Sequence, residues 1–185
     1  MNGFKFKKNI VLNAGNSGTF ARLILGLLVK SPYYIKLVGD KSLSQRDFER
    51  VISPLQKVGA NFKVNNKKTL PLKMIGSSFV NPINYFENRG SAQCKSTVML
   101  AALNSPGQTL IRAKKYRDHT ENIFKYLGIP IIIKKNKNND EIKIRGEKLF
   151  KSFKYKVPSE KLTELSAMAR QLITDTGQMY KDLGL

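Results

Sequence analysis

The chain has one cysteine, one histidine and no tryptophan in 185 residues, and only 13 Asp and Glu against 33 Lys and Arg. A lone Cys94 excludes an internal disulfide framework and a cysteine-based zinc site. His119 is the single imidazole, so no structural metal is expected. No run of 18 apolar residues occurs, and no membrane-spanning helix is expected. The N-terminal MNGFKFKKNIVLNAGNSG has neither the apolar stretch nor the small-residue cleavage site of a secretion signal. A soluble cytoplasmic protein is the expectation. No linker rich in Gly, Ser or Pro interrupts the chain. Apolar residues make up 41% and charged residues 25%, which is a globular rather than a disordered composition.

The shortage of acids leaves a formal net charge of +20 at pH 7. Lys and Arg neutralise phosphates, so a polyanion such as nucleic acid is one reading. The distribution argues against it. Basic residues are scattered through every segment, and the aromatics are not interleaved with Gly and Arg as stacking platforms. Compositional drift plus a small phosphorylated ligand is the preferred reading. KKNKNND at 134–140 is read as a solvated hairpin turn.

Periodicity gives a regular order of elements. A short apolar strand, 10–14, is followed by a helix over 19–30 and a strand over 34–38. A second helix over 44–58 is closed by Gly59, and strands at 61–64 and 70–74 follow. The order then recurs: strand 84–88, helix 92–103, strand 108–112, helix 118–127 closed by Gly128, and strands 129–134 and 141–145. The spacing predicts an α/β (α+β) fold of tandem βαβαββ units, about 10–76 and 83–147. Crossover helices make the first two strands of each unit parallel. A third unit is expected to begin at 153–157. Leu162, Leu165, Met168, Ala169, Leu172 and Ile173 predict an amphipathic helix in the tail.

Three strand-to-helix junctions carry candidate chemistry, because helix starts offer N–H groups and the positive end of a dipole to anions. The first is NAGNSGT (13–19), with Arg22 one turn on; it lacks the Gly-Lys-Ser/Thr of a Walker loop. Taken singly it reads as a plain helix start. The second, GDKSLSQR (39–46), places Arg46 near the start of the second helix; alone it reads as a solvated arginine. The third is RGSAQCKS (89–96). There Ser91 is a candidate N-cap, and Lys95 in the first turn opposes the dipole and hints at an anion. Farther on, Asp118 and Glu121 have capping-box spacing, and His119 beside them is read as structural rather than as a general base.

Taken together, LNAGNSGTFARLILGLL (12–28), GDKSLSQRDFERVISPLQKVGA (39–60), GSAQCKSTVMLAAL (90–103) and YRDHTENIFKYLG (116–128) resemble the 5-enolpyruvylshikimate-3-phosphate synthase family. The resemblance covers about residues 10–158. It implies an enolpyruvyl-transferase-like lobe and a reaction joining shikimate 3-phosphate to phosphoenolpyruvate with release of phosphate, without metal or organic cofactor. Carried over, Asn16 and Gly18 line the phosphoenolpyruvate site with Thr19 beside them, and Arg46 holds that anion. Ser91 and Gln93 bind shikimate 3-phosphate, Gln93 reaching both substrates. Ala92 contributes through its backbone, and Arg117 lies near the shikimate ring or phosphate. Arg22 and Lys95 have a supporting electrostatic role. Two departures stand out: Tyr116 replaces a family serine, and Asp47 follows Arg46 where a proline is usual.

Family members are much longer. Their substrate-gripping Lys-Ser loop and catalytic second domain have no counterpart here, so no catalytic residue is assigned to this chain. The resemblance therefore implies that residues 1–158 form a partial lobe and 159–185 a divergent helical tail. Such a lobe would bind substrate weakly without turnover, with a second lobe or complementary chain as its partner. The competing readings are a basic nucleic-acid-binding module and a nonfunctional fragment.

Overall fold

A computed structural model describes residues 9–146. The strand expected at 153–157 and the helix expected in the tail lie outside the described residues. Strand β1 (Asn9–Asn13) leads to helix α1 (Gly18–Leu27), strand β2 (Tyr34–Val38), helix α2 (Glu49–Lys57) and strands β3 (Asn61–Lys63) and β4 (Leu72–Ile75). The second pass is β5 (Asn84–Glu87), α3 (Ala92–Ala102), β6 (Gln108–Lys114), α4 (His119–Tyr126), β7 (Ile131–Lys135) and β8 (Asn139–Arg145). Both passes build the same four-stranded sheet, in the orders β1-β2-β4-β3 and β5-β6-β8-β7. The first two strands of each are parallel, Ile10 opposite Ile35 and Tyr85 opposite Ile111, and the rest antiparallel. The expected tandem βαβαββ architecture is present.

Each sheet alternates one buried and one wet face. Ile35, Leu37, Leu72 and Met74 point inward in the first sheet, and Ile111, Ile142 and Ile144 in the second. Burying each such side chain stabilises by about 1.5–3 kcal/mol. Helices α2 and α4 bury one stripe each. By contrast, α1 and α3 are buried nearly all round, as central helices are. They touch backbone to side: a Cβ on Gly26 would collide with the Thr97 carbonyl. The Thr97 hydroxyl also donates to the carbonyls of Arg22 at 3.2 Å or Gln93 at 2.8 Å. This contact sets the starts of α1 and α3 side by side.

The boundaries differ from expectation where distant groups intervene. Helix α2 begins at Glu49, not Ser44. Asp40 Oδ1 accepts the Leu43 N–H at 2.7 Å, winding Leu43–Gln45 into a 3-10 turn. The Phe48 N–H donates to the Lys68 carbonyl at 3.0 Å, so Arg46 is extended (ψ 140°) rather than helical. Helix α1 stops at Leu27, short of Lys30, where Ser31 N–H turns back to the Leu28 carbonyl. Pro71 has no N–H to give the ladder, and β4 starts after it. Strands β7 and β8 run into the basic segment, leaving 136–138 as the turn, closed by Asn136 N–H on the Asn139 carbonyl.

Candidate functional site

Helices α1 and α3 begin in the same way. Ser17 Oγ accepts the Phe20 N–H at 3.1 Å, and Ser91 Oγ accepts the Cys94 N–H at 3.2 Å. Both are N-caps with extended backbone. The Asp40 N–H donates to the Gly15 carbonyl at 2.8 Å, which fastens the 39–46 segment against the β1–α1 loop. Arg46 thereby reaches the start of α1 from the end of its 3-10 turn.

At that start the guanidinium groups of Arg22 and Arg46 converge on Gly18. A Cβ there would stand 2.8 Å from Arg22 Nη1 and 2.9 Å from Arg46 Nη1. Only a glycine lets both arms lie this close to the backbone. Their partners are neutral. Arg46 Nη2 donates to Asn16 Oδ1 at 3.0 Å, and Arg22 Nη1 donates to the Gly18 carbonyl at 3.1 Å or to Gln93 Oε1 at 3.0 Å. The Arg22 guanidinium also lies 5.1 Å from the Phe48 ring centre. Burial chiefly lowers the Arg22 pKa from its ordinary value, and neighbouring Arg46 and Arg50 push in the same direction. Asp47 Oδ1 accepts the Glu49 N–H at 2.7 Å at the start of α2, and its carboxylate acts on Arg22 in the opposite direction to burial.

Gln93 is the bridge between the two helix starts: its Nε2 donates to Thr19 Oγ1 at 2.7 Å while its Oε1 takes Arg22. The structure thus brings together Asn16, Gly18, Thr19, Arg46 and Gln93, with Arg22 as organiser rather than support. Ser91 and Ala92 sit on the adjoining turn of α3. The Ser91 hydroxyl serves its own helix, and its N–H donates to Glu87 Oε2 at 2.8 Å.

Tyr116 and Arg117 occupy an exposed loop before α4, the guanidinium 5.9 Å from the tyrosine ring centre. Lys95 ties this loop to α3 through the Arg117 carbonyl. That lysine corrects the expectation of a cation waiting for an anion. It is 4% exposed, and its Nζ donates to Glu121 Oε1 at 2.5 Å and to the Arg117 carbonyl at 2.7 Å. Glu121 accordingly makes no capping box. Asp118 is the N-cap residue of α4 by position, but its carboxylate accepts from the Asn122 side chain instead.

Glu87 was missed by the sequence reading. It is 3% exposed, bound by Arg50 Nη2 at 2.6 Å as well as by Ser91 N–H. Its only signal is an acid on an inward position of a strand. A hollow of about 390 Å³ over Asn84, Phe86, Leu110, Arg112 and Asn139 is bordered by none of these helix-start residues. Among the described residues, no cluster of His, Cys, Asp or Glu could hold a metal ion, and no helix is long and apolar enough to cross a membrane.

Known proteins of one family are similar to this chain. The family model described as "EPSP synthase (3-phosphoshikimate 1-carboxyvinyltransferase)" matches residues 1–174, continuing past residue 158, where the motif resemblance ends. A 3-phosphoshikimate 1-carboxyvinyltransferase of Ruthia magnifica is 44% identical over 86% of this chain and 36% of its own length. One from Petrotoga mobilis is 36% identical over 95% of this chain and 40% of its own length. The solved EPSP synthase of Acinetobacter baumannii superposes with a TM-score of 0.69 at 34% identity, over 76% of this chain and 31% of that one. The chain therefore spans well under half the length of the relatives it matches. With that share of the relatives' length, and with the two-unit fold in common, the chain belongs to the EPSP synthase family.

Proposed function

We propose that this chain is the substrate-binding part of an enolpyruvyl transferase that joins shikimate 3-phosphate and phosphoenolpyruvate, releasing phosphate. Phosphoenolpyruvate lies at the start of α1, held by Arg46 over Gly18 with Asn16 and Thr19 beside it. Shikimate 3-phosphate lies along the start of α3, against Ser91, the Ala92 backbone and Gln93, with Tyr116 and Arg117 closing its far side. The observation that carries this reading is the convergence of two guanidinium groups, bonded only to neutral oxygens, on a glycine at a helix start. Planar forks with N–H groups left over suit carboxylate and phosphate oxygens. Gln93 sits where the two anions would meet and can turn its amide to either.

Chemistry needs a proton for the phosphoenolpyruvate methylene and an acceptor for the shikimate hydroxyl proton. The acids near the cluster are already engaged: Asp47 with the Glu49 N–H, Glu87 with Arg50 and Ser91, Glu121 with Lys95. In this reading the acid–base groups come from a second lobe or a complementary chain. Residues 1–158 form part of one lobe in the cytoplasm, and the chain alone binds without turnover. Three charge-assisted hydrogen bonds of about 1.5–3 kcal/mol each, less several kcal/mol for lost ligand freedom, leave a Kd of about 1 mM.

Calorimetric titration of the chain with each substrate tests the reading. Binding of phosphoenolpyruvate at about 1 mM, weakened at least about tenfold by Arg46→Ala, is the expected result. Absence of binding by the folded wild-type chain at about 10 mM, with retention of duplex DNA that survives Arg46→Ala, would move the assignment to a polyanion binder.

A further inference from the structure

We infer that the buried Lys95–Glu121 pair is a positioning device: it holds the 115–118 loop so that Arg117 faces the start of α3. The inference rests on the substrate assignment above and names residues that assignment does not use. Both side chains are about 5% exposed or less. A buried ion pair of this kind is weak grounds for stability, because desolvation offsets much of its attraction. Its geometry points to another use. Lys95 lies at the end of the first turn of the helix that carries Ser91 and Gln93, whereas Glu121 lies in the first turn of α4. One ammonium therefore reaches across from the substrate-facing helix to α4, and it donates a second bond, 2.7 Å, to the Arg117 carbonyl.

The loop is otherwise held at its far end, where Asn122 donates to the Asp118 carbonyl and carboxylate. Lys114 through Asp118 are all exposed, and the Arg117 guanidinium has the Tyr116 ring, 5.9 Å away, beneath it. A flexible arginine on a free loop must be ordered by the ligand, and that ordering subtracts from affinity. Tethering its carbonyl from inside the fold does the ordering in advance. Glu121 takes the ammonium inside the fold and aims it. Among the described residues Glu121 Oε2 has no hydrogen-bond partner, which fits a carboxylate whose task is one directed contact.

The neighbouring hydroxyl pair supplies the control. Ser96 Oγ and Thr120 Oγ1 lie 2.6 Å apart, also buried between α3 and α4, one residue along from each member of the ion pair. They join the same helices without touching the loop.

The test compares wild type, Lys95→Met/Glu121→Leu and Ser96→Ala/Thr120→Val by amide exchange at 115–118 without ligand and by shikimate 3-phosphate affinity. Both double variants remove two partners together, so neither leaves a buried charge or lone donor behind. The expected result is faster exchange at 116–118 and about tenfold weaker binding in the ion-pair variant only. If that variant does not fold, Lys95→Gln/Glu121→Gln, a neutral pair too short to reach the Arg117 carbonyl, carries the same expectation. Equal losses in the hydroxyl variant, or unchanged exchange and affinity in the ion-pair variant, overturn the inference. If wild type itself fails to bind shikimate 3-phosphate, the substrate assignment falls, and the ligand-free exchange alone decides whether the clamp exists.

Discussion

The two repeats share a scaffold and differ in how they treat charge at their central helix. In both, a serine caps the helix: Ser17 for α1 and Ser91 for α3. In both, the residue after the last strand is a glycine pressed against the end of that helix, Gly76 on the carbonyl of Val29 and Gly146 on that of Ala102. The left-handed glycines Gly59 and Gly128 close α2 and α4 at matching places. The first repeat leaves Arg22 and Arg46 bonded to neutral oxygens. The second pairs the lysine of its central helix internally, Lys95 with Glu121, and its buried Glu87 takes Arg50 of the first repeat. A charge balanced inside the fold orders the fold. A charge given only neutral partners is still available to an anion from outside.

That contrast can be broken by mutation. The largest effect is expected from Lys95→Met alone, which strands the Glu121 carboxylate in the interior and costs about 3–5 kcal/mol of stability. Arg46→Ala, by contrast, removes an exposed side chain and should stay within about 0.5 kcal/mol. Denaturant unfolding of both variants reads the difference; similar losses would mean that the first repeat also uses its arginine structurally. Next comes Gly26→Ala. Its methyl group meets the Thr97 carbonyl, so α1 and α3 must separate, at about 1–3 kcal/mol. The same variant should weaken ligand binding beyond its stability loss, because Thr19 and Gln93 are carried by the two separated helices.

Gly18→Ala sharpens the comparison from the other side. Its Cβ crowds the tips of two flexible arginines and makes ordinary contact with Leu43, and alanine is the better helix former by about 1 kcal/mol. Stability should hold or rise slightly while phosphoenolpyruvate affinity falls several-fold, a split visible by running calorimetry and thermal melts on one sample. The smallest effect is expected at the caps. Ser17→Ala and Ser91→Ala should each cost about 1 kcal/mol in unfolding measurements. Equal costs would support equivalent scaffolds, whereas a much larger cost at Ser91 would show that the second repeat depends more heavily on its cap.

The repeat was legible in the sequence because its signals are local. Apolar periodicity, the helix-closing Gly59 and Gly128, and the serine caps each lie within a few residues of what they determine. The motif resemblance likewise located Asn16, Gly18, Thr19, Arg46 and Gln93, which the fold gathers at two adjacent helix starts. What could not be read locally depends on partners far along the chain. Helix α2 starts late because the Phe48 N–H finds a carbonyl at Lys68, twenty residues on. Lys95 looked like an anion ligand because its neutraliser, Glu121, is 26 residues away. Glu87 had no visible purpose until Arg50, 37 residues earlier, was seen beside it. Spacing rules see a helix face; they do not see which acid a crossover connection will deliver to a buried lysine.

The central claim, that the start of α1 is the place left open for an anion, is tested most directly by amide chemical-shift mapping with phosphoenolpyruvate. The account predicts saturable shifts at Gly18, Thr19 and Gln93 and at the Arg22 and Arg46 side-chain signals, absent in Arg46→Ala. Shifts spread evenly over the lysines of both sheets, or centred on Lys95 with α1 unmoved, would contradict it.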